Sequence, residues 1–283
     1  MNAINRTATR IFDVLFSPTE ALGEGWSLIL WSAIFGVLAL VVFKFISSQS
    51  GIKAAKDKIK GHMIAIRLYQ DDLAIVVKSV FKVLGRNVQY LFLNFGPILP
   101  LMVPFTLVAA QFVVRYSFDP LETREPEGLL PGQGTMISIS FDEGEEARIS
   151  GLALELPGGV EALSPLVRDT LEGRAWQEVV CTAQVDDDIR VLVDGEEVGT
   201  KRIVAGEERP RHMQPERVAS FWEAWLWPAE DTFSDSPVAK VKFAYPDHDL
   251  GWLPGGPGGV LMVFVIASIL AGVAAIKPLK IQI

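Results

Sequence analysis

The stretch from Asn87 to Val114, NVQYLFLNFGPILPLMVPFTLVAAQFVV, runs for 28 positions without a charged residue. A helix needs about 20 apolar residues to cross a bilayer, so this run predicts a membrane span, placed at residues 87–115. Lys78, Lys82 and Arg86 precede it; Arg115 follows it, and the chain then turns acidic. Lysine and arginine collect on the cytoplasmic side of a span, so the residues before it read as cytoplasmic and those after it as extracytoplasmic. Pro97, Pro100 and Pro104 lie inside the run. Each removes a backbone donor and crowds the preceding turn, so the span should be bent and packed on protein over part of its length. Asn94 and Gln111 are its other unusual residues. An amide in apolar surroundings needs a partner, which makes Asn94 either a contact between helices or a lining group of a wet cavity.

Two further charge-free runs flank this one, Gly25 to Phe43 and Leu250 to Ile276. They predict spans at residues 25–46 and 258–276, the second reached through a Gly/Pro hinge at 251–257. The whole chain has 283 residues, of which 49% are hydrophobic, with mean hydropathy +0.30. Three such runs would leave little chain to surround them in a soluble core, so the membrane reading prevails. No ionisable residue sits inside the first span, which reads as an anchor rather than a proton relay; Lys44 snorkels at its inner end.

The net charge of −8 hides a segregation. From Lys44 to Gln89 nine Lys/Arg face three acids; from Arg115 to Asp249 thirteen face 28. The basic part, residues 47–86, repeats apolar residues at steps of three and four: Ile52, Ala55 and Ile59, then Leu73, Val76, Val77, Val80, Phe81 and Leu84. Asp71-Asp72 divides it, so two helices are predicted, paired as a cytoplasmic hairpin or flat on the anionic leaflet. Lys53, Lys56, Lys60, Arg67, Lys78 and Lys82 are its candidate cytoplasmic contacts, or simply its topology markers. One short basic helix is poor support for a nucleic-acid partner, and none is expected.

Residues 116–250 are acidic, turn-rich and β-patterned. MISISF, EVVCTAQV and IRVLV alternate or carry β-branched runs, and Asp194-Gly195 follows a strand-like run as a hairpin turn would. About seven or eight strands in an all-β sandwich are expected. FWEAWLW, at 221–227, reads either as a lid on that sandwich or as an element touching lipid. Residues 1–24 predict a short helix on the outer surface, with Ile11, Val14, Leu15 and Leu22 on one side. The tail at 277–283, with Lys277 and Lys280, reads as cytoplasmic. The expectation is therefore an inner-membrane protein with its N-terminus outside, its C-terminus inside and a periplasmic domain.

Catalytic signals are weak. The only cysteine, Cys181, sits in a strand-like run as a small buried hydrophobe would, and one cysteine makes no internal disulfide. His62, His212 and His248 have no metal-ligand spacing, and Asp247 and Asp249 around His248 lack a full calcium-loop pattern. No nucleophile elbow, phosphate loop or dinucleotide fingerprint is present, so no enzyme, cofactor or metal is predicted.

Residues 11–115 and the last span resemble the core of the YidC/Oxa1/Alb3 insertase superfamily, the three-span archaeal-like members included. The likeness rests on a short outer helix (Ile11 to Leu22), an apolar first span, a cytosolic hairpin (Ile52 to Leu84) and NFGPILPLMVPF, which carries Asn94, Pro97, Pro100 and Pro104. It implies a hydrophilic groove that lowers the cost of passing a substrate's polar segment, with Asn94, Pro97, Pro100, Pro104, Gln111 and Lys44 as groove or packing residues. Such insertases commonly carry a basic residue in the first core helix, where Trp26 to Phe43 has none and Lys44 is the nearest. The resemblance does not extend to the acidic β domain. The implied function is insertase- or chaperone-like, with lipids and nascent membrane proteins as partners. The alternative is a structural or assembly subunit of an envelope complex whose β domain binds outside the cytoplasm.

Overall fold

The computed structural model describes residues 2–130 and 132–281. The chain forms two compact units, Met1–Leu28 with Leu107–Val263 and Ile29–Thr106 with Phe264–Ile283. Among the described residues, three helical stretches are long and apolar enough to cross a membrane: Glu24–Ile46, Leu73–Tyr116 and Gly256–Leu279.

The second unit holds most of α2 (Glu24–Ile46), all of α3 (Gln49–Leu68) and α4 (Leu73–Phe95), the first half of α5 (Ile98–Tyr116) and most of α6 (Gly256–Leu279). Asp72 caps α4, its carboxylate accepting from the Ala74 and Ile75 amides at 3.0 and 3.2 Å, so the Asp71-Asp72 turn lies where the sequence places it. The paired arms are antiparallel: the Lys56 ammonium lies 5.6 Å from the centre of the Tyr90 ring. Near the start of α3, a Cβ on Gly51 would lie 3.5 Å from Leu93 Cδ1.

α4 does not stop at Gly85, where the sequence suggests a boundary between hairpin and span. It continues to Phe95, beside α3. The helical path bends instead at Gly96-Pro97. Gly96 keeps helical angles (φ −51°, ψ −48°) and donates to the Phe92 carbonyl at 2.9 Å, but Pro97 has no N–H with which to continue the ladder. The charge-free run is thus shared by two helices. Pro100 falls in the first turn of α5, where a missing donor costs little, and Pro104 is the interior proline. The 44 residues of Leu73–Tyr116 would measure about 66 Å as one straight helix, twice a hydrocarbon core of about 30 Å. Only part of them fits inside a bilayer, and α5 alone, at 19 residues, has the length of one crossing.

α2 and α6 touch backbone to backbone. A Cβ on Gly36 would stand 2.3 Å from the Ser268 carbonyl oxygen, and the Ser268 hydroxyl donates to the Ser32 carbonyl at 3.1 Å. The buried face of α6 here is Phe264, Ser268 and Gly272, because Gly36 opens the groove opposite Ser268.

The first unit is built on nine strands among the described residues: β1 (Thr135–Phe141), β2 (Leu152–Glu155), β3 (Val160–Ala162), β4 (Val167–Asp169), β5 (Arg174–Cys181), β6 (Val185–Val193), β7 (Glu196–Ala205), β8 (Glu216–Val218) and β9 (Val238–Lys242). They form a six-stranded sheet, β3-β5-β1-β9-β8 with β4 on β5, and a three-stranded sheet, β2-β6-β7. Every strand pairing is antiparallel. Alternation sends Ile137, Ile139 and Val179 from one sheet and Val191, Val193 and Ile203 from the other into one shared core, the arrangement of a sandwich. Asp194-Gly195 turns β6 into β7 with φ of 55° and 84°, which fits a type I′ hairpin. Cys181 is buried in this core, and burial pushes its thiol up to about 11.

Candidate functional site

The first unit carries a dense charged clasp where α1, the start of α2 and the end of α5 meet the sandwich. α1 (Asn2–Phe16) is amphipathic, and it lays Asn5, Phe12 and Phe16 against the unit while a 3₁₀ turn, Ser17–Leu22, leads on into α2. Asp13 of α1 pairs with the Arg115 guanidinium at the end of α5 and lies 2.9 Å from His212 Nε2. Arg115 Nη2 is 3.0 Å from that same nitrogen, and its guanidinium stacks 5.1 Å over the Phe16 ring. Burial, then the charge of Arg115, hold His212 below the ordinary histidine range against the raising effect of Asp13. Gln111, one turn earlier on α5, is fully buried and donates to the Thr9 hydroxyl at 3.0 Å.

A second knot adjoins the first through Arg209. Its Nη2 donates to the Arg115 carbonyl at 2.5 Å, its Nε to the Phe118 carbonyl at 2.7 Å, and its Nη1 to Glu24 Oε1 at 2.6 Å. Glu24 opens α2, so its carboxylate also complements the positive end of that helix. His248 sits between Glu24 and Asp119, with Nε2 and Nδ1 each 2.6 Å from a carboxylate oxygen. Both contacts can be donated at once only by the doubly protonated ring. His248 is thus engaged by Glu24 and Asp119 rather than by its neighbours Asp247 and Asp249. Among the described residues no group of three His, Cys, Asp or Glu side chains is placed to hold a metal ion. These knots join helices to a sandwich, and among the described residues the polar contacts of both imidazoles are with charged side chains.

The candidate residues named from the sequence fall into both units. Asn94 lies on α4, half-buried; its amide donates back to the Tyr90 carbonyl at 2.8 Å, and its Oδ1 is sealed from solvent without a hydrogen-bond partner among the described residues. Pro97 is at the bend, Pro100 and Pro104 are on α5, and Gln111 is in the other unit, committed to α1. Lys44 reaches the Leu279 carbonyl at 2.8 Å and so caps α6, a use of a cation that suits a helix C-terminus. Lys53, Lys60, Arg67, Lys78 and Lys82 are exposed on the hairpin, whereas Lys56 is half-buried on Tyr90.

Two features escaped sequence reasoning. One is the clasp, whose pairs join residues 91 to 224 positions apart. The other is an open depression of about 1490 Å³ on the outer face of the six-stranded sheet, where Ser138 and Ser140 lie between Trp176 and Arg174 on one side and Lys240 and Lys242 on the other. No family model, curated protein or solved structure matches this chain.

Proposed function

We propose that this protein assists the insertion or assembly of other membrane proteins without catalysing a covalent reaction. The carrying observation is on α4. Leu73, Val77, Phe81, Leu84, Val88, Leu91 and Phe95 follow one another at steps of three and four, and all are exposed. They form one apolar stripe on the hairpin arm, and Asn94, with its unpartnered oxygen, lies at the edge of that stripe. An apolar segment of a client gains contact along the stripe, which removes apolar surface of both from water. The exposed lysines of the hairpin favour acidic client ends or ribosomal surfaces. In this reading the hairpin is cytoplasmic, the sandwich lies outside the inner membrane, and the N-terminus is outside.

The depression on the sheet favours a second reading, in which the sandwich holds one partner of an envelope complex and the helices anchor it. In-cell photocrosslinking from Phe81 and Asn94 separates the two. Capture of many nascent membrane chains supports insertion; capture of a single stable partner from these positions, or of none, rejects it.

A further inference from the structure

We propose that the aromatic segment Phe221–Leu226 of the sandwich, together with the outward side of α1, is a lipid-docking surface that lays the sandwich unit on the outer face of the bilayer. The argument begins with how α1 is turned. Its polar and aromatic side faces protein: Asn5 donates to the Ala224 carbonyl at 2.9 Å, Asn2 accepts from the Thr232 amide at 3.0 Å, and Arg6 pairs with Asp231 at 3.0 Å. Its aliphatic side faces out, with Ile4, Ile11 and Leu15 exposed and Val14 75% exposed. Phe12 and Phe16 are its buried apolar residues, and the aliphatic ones are left outside, where a helix in water would bury them too. The outward side therefore gains free energy where it meets an apolar medium.

The same three contacts attach α1 to residues 224–232, next to the aromatic segment. There Ala224 is buried, but Phe221 and Leu226 are half exposed and Trp222 is 78% exposed. The inner side of the segment, with the following Trp227, packs on the sandwich, and its other side is open. The rings of Trp26, near the start of α2, and Trp252, just before α6, lie 5.4 Å apart in a tilted contact and are also exposed. Other large apolar residues exposed on the sandwich, such as Leu130, Val167 and Leu171, are scattered.

The choice of lipid over a protein partner follows from continuity. α1 enters α2 through a six-residue turn, so its stripe lies within a short tether of a span's outer end. The tryptophan pair marks the entry of two spans, and indole rings concentrate at that depth. Arg10, exposed beside the stripe, can meet anionic headgroups while the aliphatic residues enter the acyl boundary.

The test uses the full chain with Cys181→Ala, reconstituted in phosphatidylcholine–phosphatidylglycerol vesicles and carrying one nitroxide at Val14→Cys, Trp222→Cys, Leu226→Cys or Leu171→Cys. Collision with oxygen reports lipid, and collision with a water-soluble nickel chelate reports water. We expect oxygen to exceed nickel at 14, 222 and 226, and nickel to exceed oxygen at 171. Nickel exceeding oxygen at 222 and 226 overturns the proposal, and so does exclusion of both reagents there, which would mean a protein cover. Lipid exposure at 171 as well overturns it, because the surface would then not be confined to these residues.

Discussion

Lys201 offers the sharpest test of how the sandwich holds together. It is fully buried on β7, yet its three ammonium hydrogens have three acceptors: Glu230 Oε1 at 2.5 Å, the Gln214 carbonyl at 2.8 Å and the Arg202 carbonyl at 3.0 Å. The ammonium also lies 4.9 Å from the centre of the Phe243 ring. Glu230 is its only salt-bridge partner among the described residues and is itself nearly buried. Glu230→Ala leaves a buried cation unpaired, which costs about 3–5 kcal/mol. At about 2–4 °C per kcal/mol for a domain of this size, the unfolding midpoint should fall by roughly 6–20 °C. Lys201→Met leaves a carboxylate that can recover some water, so it should cost less, about 1–3 kcal/mol. The double variant Lys201→Met/Glu230→Ala should be more stable than Glu230→Ala alone, because no unpaired charge remains. The assay is thermal unfolding of the full chain in detergent, followed through protease protection of the sandwich. Burial, the largest influence, holds Lys201 below the usual lysine value, and Glu230 raises it. A group whose folded value is lowered is penalised while protonated, and the penalty shrinks as pH rises toward the unfolded value. The deficit of Glu230→Ala should therefore narrow in alkali. A double variant less stable than Glu230→Ala would refute the reasoning.

Two further outcomes are expected. His212 is held below its ordinary value near 6.5 chiefly by burial, so the unfolded chain binds the proton more tightly. Its contribution is complete above about pH 6.5 and is lost as pH falls toward the folded value. Lowering the pH from about 7.5 to about 5.5 should depress the unfolding midpoint, and His212→Gln should reduce that dependence; an unchanged slope would assign the loss to other groups. Gly36→Leu forces a side chain into the Ser268 backbone, a clash worth about 1–3 kcal/mol. It should abolish disulfide formation between Ser32→Cys and Ser268→Cys, measured by gel shift after mild oxidation.

What the sequence disclosed, and what it hid, follows from the range of each signal. The apolar runs of α2 and α6 are local, and so is the alternation of β1, β6 and β7, so helices of span length and strands could be read directly. The Asp194-Gly195 hairpin and the Asp72 cap depend on a few adjacent residues and were equally legible. The bend was harder. Gly85 looks like a helix breaker, yet a single glycine costs only about 1 kcal/mol in a helix, and the contacts of α4 with α3 continue past it. Pro97 has the stronger effect, since it removes a donor outright. Lys201 was illegible for a different reason: a lysine in an alternating strand reads as outward, and only Glu230, 29 positions away, permits it to point in. Of the candidate site, Asn94 and the prolines stood out because they are unusual within an apolar run. Gln111 stood out in the same way, but its partner Thr9 is 102 positions away.

The clasp residues explain why charge appears where it does along the helices. Glu24 is the first residue of α2, and Arg115 is the penultimate residue of α5. Both stand at the edge of a charge-free run, the first place where an ion can avoid the hydrocarbon. Positive-inside reasoning treats Arg115 as an exception, because it lies on the side assigned to the outside. Its partners remove the difficulty: Asp13 supplies the counter-charge, and Phe16 covers the guanidinium. Arg115 is therefore an internal tie rather than a topology marker, and α1 is needed to satisfy it. The same logic applies to Arg209, which joins Glu24 to the carbonyls of Arg115 and Phe118. Deleting α1 would strip Asp13 from a cation that is almost wholly buried and expose the Phe16 side of Arg115. The damage would then fall on the junction of α5 with the sandwich, even though the deleted residues belong to neither element.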